Sequence, residues 1–248
     1  MKIKADLHLH TALSPCGSLD MSPTALVQQV KMCGLDVIAV TDHNAMENGF
    51  YVAEAGAKEN LTVIFGMEAQ TSEDVHVLCY FNKKNQAEHF YTDIYTYLPD
   101  LANNPEFFGD QVVVDLEENI VRVEEKLLLN ALNLSIGELV EKVKQHGGFL
   151  VPAHIDSPSF GLMTNMGFVP DELADSVLEI SYNAPLEKFF NKYPALVGIP
   201  WMTNSDAHYL PDIARAFGIY DVTTGASLPA AIFEAVKQKR FQIEIRKK

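Results

Sequence analysis

Near the start of the chain, in KADLHLHT, Asp6, His8 and His10 alternate with Ala5, Leu7 and Leu9. Successive side chains of a β-strand point to opposite faces, so this spacing predicts Asp6, His8 and His10 on one face and the leucines on the other. Two imidazoles held side by side on a rigid strand suit a metal ion, because neutral histidine is a common ligand and little freedom is lost on binding. A strand with its polar face in solvent is the plainer alternative. More acids and histidines follow apolar runs: His43 after VIAVTD, Glu68 after VIFGM, His154 after FLVPA, and Asp206 with His208 after IPWMTNS. Taken singly, His43 could cap the next helix, Glu68 could pair with a lysine, and His154 could be a hydrogen-bonded core residue. Taken together, they stand at the predicted C-terminal ends of strands, and in a parallel barrel those ends converge on one mouth where such folds do their chemistry.

The elements that must position these residues alternate between strand and helix, the signature of βα units around a mainly parallel sheet. Strands are predicted over residues 3–10, 36–43 and 61–70, with 75–81 as a partner strand after the polar turn TSED. Helices are predicted over 22–33, 45–59, 85–97, 135–146 and 228–240. Ser22 and Pro23 supply an N-cap and a first-turn proline, and Gly34 and Gly147-Gly148 supply stops. FLVPAH, SVLEISY and GIPWMTNSDAH add strands starting at Phe149, Ser176 and Gly198. Residues 99–133 break this rhythm as an insertion, within which 109–125 alternate on both sides of a polar centre and predict a β-hairpin. No repeat, low-complexity tract or linker divides residues 1–248, which favours one domain.

A chain of 248 residues is long enough for one α/β barrel with a large core. Its hydrophobic fraction of 48% contains no uninterrupted apolar run of membrane-spanning length, and the first residues lack the apolar segment of a signal peptide. The three cysteines, Cys16, Cys33 and Cys79, are odd in number and widely spaced, so no disulfide framework is expected and a reducing cytoplasm is the natural location. A net charge of −14 without a basic run argues against long nucleic acid as the main partner. A small phosphate ester stays compatible, because bound cations add local positive charge.

The set ADLHLHT, AVTDHN, a glutamate after the third strand, HVLCYF, VPAH and NSDAH resembles, in order, the four-motif signature of the PHP family, named from polymerase and histidinol phosphatase. The likeness runs from Asp6 to His208. It implies a distorted seven-stranded, TIM-like (β/α)7 barrel holding two or three divalent ions, Zn, Mn or Fe, at its mouth. Carried over residue by residue, it implies that His8 and His10 hold one ion together with Glu68 and Asp206. Glu68 would bridge to a second ion shared with His76 and His154, and His43 and His208 would hold a third. The family pattern usually has one more ligand, commonly aspartate or histidine, shortly after the first HxH. Within TALSPCGSLD the best positional match is Cys16, whose thiolate can bind zinc or iron, and Asp20 or water is the rival. His89 and His146 fall outside the motifs and are expected at the surface or at helix ends. Cys33 and Cys79 are expected in the core.

This ligand set implies metal-dependent hydrolysis of a small phosphate ester, since closely spaced ions can activate a water and stabilise the leaving oxygen. Asp206 and His208 are the candidates for handling the proton. The four arginines are Arg122, Arg215, Arg240 and Arg246; Arg215 stands nearest NSDAH and is the candidate phosphate contact, with a surface ion pair as the alternative. Some relatives have an arginine after the aspartate of HxD, where Ser157 stands here, so that contact is not carried over. Histidinol phosphate, a nucleoside monophosphate and a 3′,5′-bisphosphate all fit. Two alternatives are hydrolysis of a C–N or C–O bond in a non-phosphate substrate and a regulatory metal-binding module without turnover. Nothing in these residues sets the oligomeric state, and Phe107-Phe108 and Phe189-Phe190 are expected in core or insertion packing.

Overall fold

The structure, a computed structural model, describes residues 1–223 and 225–246. Strand β1 (Lys2–Leu9) leads into helix α1 (Pro23–Cys33). The Ser22 hydroxyl accepts from the Ala25 amide to start α1, and Gly34 ends it at φ +71°, a left-handed conformation that costs glycine no Cβ clash. Next come β2 (Val37–Val40), α2 (Glu47–Lys58), β3 (Thr62–Gln70) and β4 (His76–Phe81). Helices α3 (Lys84–Tyr95) and α4 (Pro105–Phe108) precede β5 (Val112–Val114) and β6 (Ile120–Val123). Helix α5 (Ile136–Gln145) opens on a reciprocal capping box between Ser135 and Glu138. The chain continues through β7 (Phe149–Pro152), α6 (Leu162–Asn165), β8 (Leu178–Glu179), α7 (Leu186–Lys192) and β9 (Trp201–Met202). It closes with β10 (Ala216–Asp221), α8 (Leu228–Lys237) and β11 (Phe241–Ile245).

One sheet runs in the order β11-β10-β1-β2-β3-β4-β7, and β8 and β9 pair in parallel. Two backbone bonds tie that pair into the same ring. The Ile155 amide, just past β7, donates to the Glu179 carbonyl at 2.9 Å, and the His10 amide donates to the Ala207 carbonyl at 3.0 Å. Strands β1, β2, β3, β4, β7, β8 and β9 thus close a distorted, TIM-like seven-stranded barrel, and β10 and β11 extend the sheet outside it. Strand β4 is antiparallel to both β3 and β7, so His76 reaches the mouth from the start of its strand while Glu68 sits near the end of β3.

Strands β10 and β11 were not foreseen. Gly218 interrupts β10, and a Cβ there would lie 2.1 Å from the Tyr220 ring, so close packing has replaced the β-branched residue that would advertise a strand. Strand β11 is defined by its pairing with β10, from Ala216–Ile245 to Tyr220–Phe241, rather than by its own composition. The expected hairpin is present as β5–β6, turned by Asp115, whose side chain accepts from the Glu117 and Asn119 amides at 3.0 and 2.9 Å. The buried Asn48 side chain donates to the Val112 carbonyl and accepts from the Val114 amide, fastening this hairpin to α2.

The barrel interior is apolar below the mouth. Leu7, Ala39, Ile64, Leu78, Tyr80, Val151 and Met202 pack in one cluster with Ile232 and Val236 of α8. Leu9, Ile38 and Val40 belong instead to the layer under α1 and α2. That split of Leu7 from Leu9 exposes a register shift in β1 between Asp6 and Leu9, where three residues span two of β2. Such a bulge re-aims side chains. Asp6 consequently does not share the face of His8 and His10, as simple alternation predicted; its buried carboxylate accepts from the Ser205 and Ala214 amides at 3.1 Å each. Phe189 is buried and Phe107 is 78% exposed, so the insertion aromatic is not core. Among the described residues no helix is long and apolar enough to cross a membrane.

Candidate metal centre

Six of the eight histidines meet at the barrel mouth around Glu68. Glu68 Oε1 lies 3.0 Å from His76 Nδ1, 3.0 Å from His154 Nε2 and 3.4 Å from His8 Nε2. Its Oε2 lies 3.0 Å from His43 Nδ1 and 3.3 Å from His10 Nε2. The two oxygens thus serve different imidazoles, which is the geometry of a bridging carboxylate. Asp206 Oδ1 completes the inner group at 3.3 Å from both His8 Nε2 and His10 Nε2. His208 stacks on His10, with ring centroids 4.1 Å apart. His154 and Asp206 have left-handed backbones, φ +26° and +50°, a strained conformation that turns their side chains at the strand ends.

The outer nitrogens of the first two histidines are already committed. His8 Nδ1 faces Glu179 Oε2 at 3.0 Å, and the Ser14 hydroxyl sits 2.9 Å from His10 Nδ1 and donates to Asp42 at 2.7 Å. Both Nδ1 atoms therefore donate, and both Nε2 lone pairs face one another at 3.2 Å. Lone pairs do not pack at that distance without positive charge between them. The measured pairs among His8, His10, Asp206 and Glu68, with His8 facing Glu68 Oε1 and His10 facing Oε2, stand 3.2–3.4 Å apart, close to the separation of about 3.3–3.4 Å between two ligands 2.0–2.1 Å from one cation. Asp206 Oδ1, His76 Nε2 and His154 Nδ1 are buried without a hydrogen-bond partner, as ligand atoms or neighbours of a polar substrate would be. The residues fit a metal centre.

Electrostatics favour positive charge at the same point. Burial opposes a proton on His10, but Asp206 and Glu68 outweigh it and lift its pKa to about 9. Burial would raise the carboxyls of Glu68 and Asp206, yet the surrounding imidazoles hold both well below the usual range. Further out, burial pushes His43 down to about 3 and His208 down to about 4, so both are neutral and keep a lone pair to offer. The donor sets that come within reach of a single ion are His8–His10–Glu68, His43–Glu68–His76 and His10–His43–His208. His10 and His43 each enter two sets, a sharing that the assignment of His43 to His208 alone did not anticipate.

Two expected residues stand apart. Cys16 joins none of these donor sets; it is an exposed residue beside the cluster, and burial of its thiol together with the Glu68 charge pushes the pKa up to about 12. Asp20, its rival, is exposed and also outside them. Arg215 does not line the cleft over the cluster; it pairs with Asp212, donates to the Tyr182 hydroxyl at 2.8 Å and lies over the Tyr182 ring. It forms the ion pair with Asp212. His89 is exposed, and His146 caps α5 beside Asp93 at 3.2 Å. Cys79 is buried and Cys33 only partly so.

Glu179 is the residue of this centre that sequence reading missed. It is 3% exposed on β8, and its Oε2 accepts from both His8 Nδ1 and the His154 amide while Oε1 accepts from Asn204 at 2.7 Å. Glu179→Gln would turn an amide NH2 toward one of these donors. Metal affinity should fall about 10–100-fold, measured by titration against a competing chelator, with circular dichroism unchanged. An affinity within twofold of wild type would show that Glu179 does not orient His8.

A seven-stranded barrel with a carboxylate-bridged histidine cluster at its mouth defines a class of metal-dependent hydrolase folds. The family model for the PHP domain matches residues 6–150, and the chain belongs to that family. A DNA polymerase III PolC-type of Oceanobacillus iheyensis is 36% identical over 73 residues, which are 29% of this chain but 5% of the polymerase. Among solved structures, a lesion-specific endonuclease from Pyrococcus furiosus superposes with a TM-score of 0.68 at 21% identity, covering 96% of this chain and 56% of that one. Endonuclease Q bound to a 27-mer duplex with an abasic lesion gives 0.67 at 20% identity, over 96% of this chain and 57% of that one. A candidate metal-dependent phosphoesterase from Bifidobacterium adolescentis gives 0.56 at 19% identity, over 82% and 87%. These likenesses establish the fold. The chain spans a small part of the polymerase and little more than half of the endonuclease.

Proposed function

We propose that the protein is a metal-dependent phosphoester hydrolase working at the barrel mouth. The observation that carries this reading is Glu68, whose two oxygens face separate imidazole sets beneath a cleft of ≈ 360 Å³. Imidazole with carboxylate suits two or three ions of Zn, Mn or Fe. Bound ions would supply Lewis acidity toward a phosphoryl oxygen and a water that ionises near neutral pH.

The chain's own groups do the rest. His8, His10, His43, Glu68, His76, His154, Asp206 and His208 would hold the ions, and the Cys16 thiol lies outside these donor sets. His208 Nδ1 donates to the Asp206 carbonyl at 3.0 Å, so its Nε2 keeps the lone pair. Asp206, with a buried oxygen beside His8 and His10 and a side chain 40% exposed, reaches from the cluster into the cleft. Asp206, through the oxygen that does not face His8 and His10, or His208, where its Nε2 does not hold an ion, would accept and return a proton at the attacking and leaving oxygens. Ser157, Ser159, Ser181 and Asn183 line the cleft as neutral donors for phosphoryl oxygens.

The substrate classes are a nucleotide, a nucleoside bisphosphate or histidinol phosphate. The duplex in the Endonuclease Q complex removes net charge as a ground for excluding long nucleic acid, because the same fold accepts DNA there. Duplex DNA therefore belongs in the panel. The test is product release from these substrates by protein loaded with Mn, Fe or Zn, against His8→Ala and a chelator-treated control. Turnover should require metal and fall more than about 100-fold in His8→Ala. Folded, metal-loaded protein that cleaves none of them, yet cleaves an amide or carboxylic ester, would overturn the phosphoester assignment.

A further inference from the structure

The cleft over the metal centre has one large aromatic wall. Its floor is the histidine and carboxylate cluster, including His208, and above it stand the acid Asp156, neutral serines and Asn183, Pro158 and Phe160. Among the described residues no lysine or arginine lines it. Recognition of the organic part of a substrate therefore cannot rest on cationic side chains, and Phe160 offers the largest flat surface. Its ring stacks on His76 with centroids 4.3 Å apart and planes within 2°. It is nonetheless 36% exposed and lines the cleft.

The position of that ring is fixed by its loop. The Phe160 carbonyl accepts from the His76 amide at 3.1 Å, which ties the loop to the start of β4. The Ser159 carbonyl accepts from the Asn165 side chain at 3.0 Å, and the Asn165 side chain also donates to the Asp74 carbonyl. The Ser157 carbonyl accepts from the Thr164 hydroxyl at 2.6 Å. Gly161 permits the tight turn that follows, since a Cβ there would meet the Ser157 carbonyl at 2.5 Å and the Ile155 carbonyl at 2.7 Å. An aromatic held this firmly loses little freedom when a second ring stacks on it.

We propose that Phe160 is a stacking platform that selects phosphate esters carrying a planar ring, a nucleobase in the first instance, beside the scissile phosphate. This rests on the phosphoester assignment and deepens it. The ring's other role, bracing His76, would affect every substrate alike; a platform affects only substrates with a ring to stack.

The experiment compares substrates that differ only in the base: AMP against ribose 5-phosphate, and dithymidine monophosphate against its counterpart with tetrahydrofuran abasic units. Metal-loaded wild-type protein should show a KM about tenfold lower for the base-bearing member of the pair it cleaves. Phe160→Ala should erase that difference by raising the KM of the base-bearing substrate alone, with kcat within threefold. Phe160→Trp should preserve it. Calorimetric titration with AMP and ribose 5-phosphate reads the same preference without turnover. Equal KM values in wild type, or Phe160→Ala affecting both members alike, would overturn the platform and leave Phe160 as a brace for His76. No cleavage of either pair by folded, metal-loaded protein, with calorimetry still preferring AMP over ribose 5-phosphate through Phe160, would overturn the phosphoester assignment and leave the platform standing.

Discussion

Glu68→Gln is expected to strip the centre of bound metal and to lower turnover by more than about 100-fold, with the barrel still folded. Both carboxylate oxygens are within 3.0–3.4 Å of imidazole nitrogens, five rings in all, and the residue is 1% exposed. The amide keeps the shape but loses the charge, and its NH2 group would point at nitrogens that have lone pairs to offer. Removing a partner that touches one ligand from outside already costs 10–100-fold in affinity or activity; Glu68 touches ligands of every donor set. Elemental analysis of the purified variant, phosphate release and far-UV circular dichroism together check this. Full metal content with less than a tenfold loss of rate would show that the bridge is dispensable.

The site was legible in the sequence because its residue types are rare at strand ends. His43, Glu68, His154, Asp206 and His208 each follow an apolar run, and a parallel barrel brings such ends to one mouth whatever the loops between them. His76 was placed by resemblance, and the antiparallel course of β4 explains why it stands at a strand's beginning. What stayed hidden depended on geometry that one-dimensional periodicity does not carry. The bulge in β1 moved Asp6 off the face of His8 and His10, although the letters alternate without a break. Glu179 is a lone acid in the apolar run SVLEISY, and its meaning comes from a contact with His8 across 171 residues. Closeness in sequence to NSDAH does not show what Arg215 touches: Asp212, three residues earlier, and Tyr182 hold its guanidinium. The α1 helix, by contrast, is written locally, in Ser22, Pro23 and Gly34, and forms where those residues say.

Removing the metal should lower the melting temperature by about 5–10 °C without unfolding the protein at room temperature. The proposed ligands come from the end of β1, the ends of β2 and β3, the start of β4, and the chain beyond β7 and β9, so ions at the mouth would link most of the staves of the barrel. An ion that binds the folded chain and not the unfolded one stabilises by RT ln(1 + [L]/Kd), about 2.7 kcal/mol at a hundredfold excess over Kd. For a domain of this size each kcal/mol moves the midpoint by about 2–4 °C. Fold itself should survive, because the apolar cluster of Leu7, Leu78, Tyr80, Val151 and Met202 lies below the mouth and does not use the ions. Without them, Glu68 and Asp206 are balanced by a proton on His10, whose pKa is about 9. That raised value places stability on the acid side: the proton's contribution is complete below pH 6.5 and is lost as pH rises through about 9. Chelator-treated protein should therefore melt progressively lower from pH 7 to pH 9, and the gap to metal-loaded protein should widen over the same range as deprotonated imidazoles become available. Differential scanning calorimetry at pH 6, 7, 8 and 9, with and without metal, measures both slopes. A gap that stays constant or narrows as pH rises would mean that protons and metal do not compete for the same nitrogens.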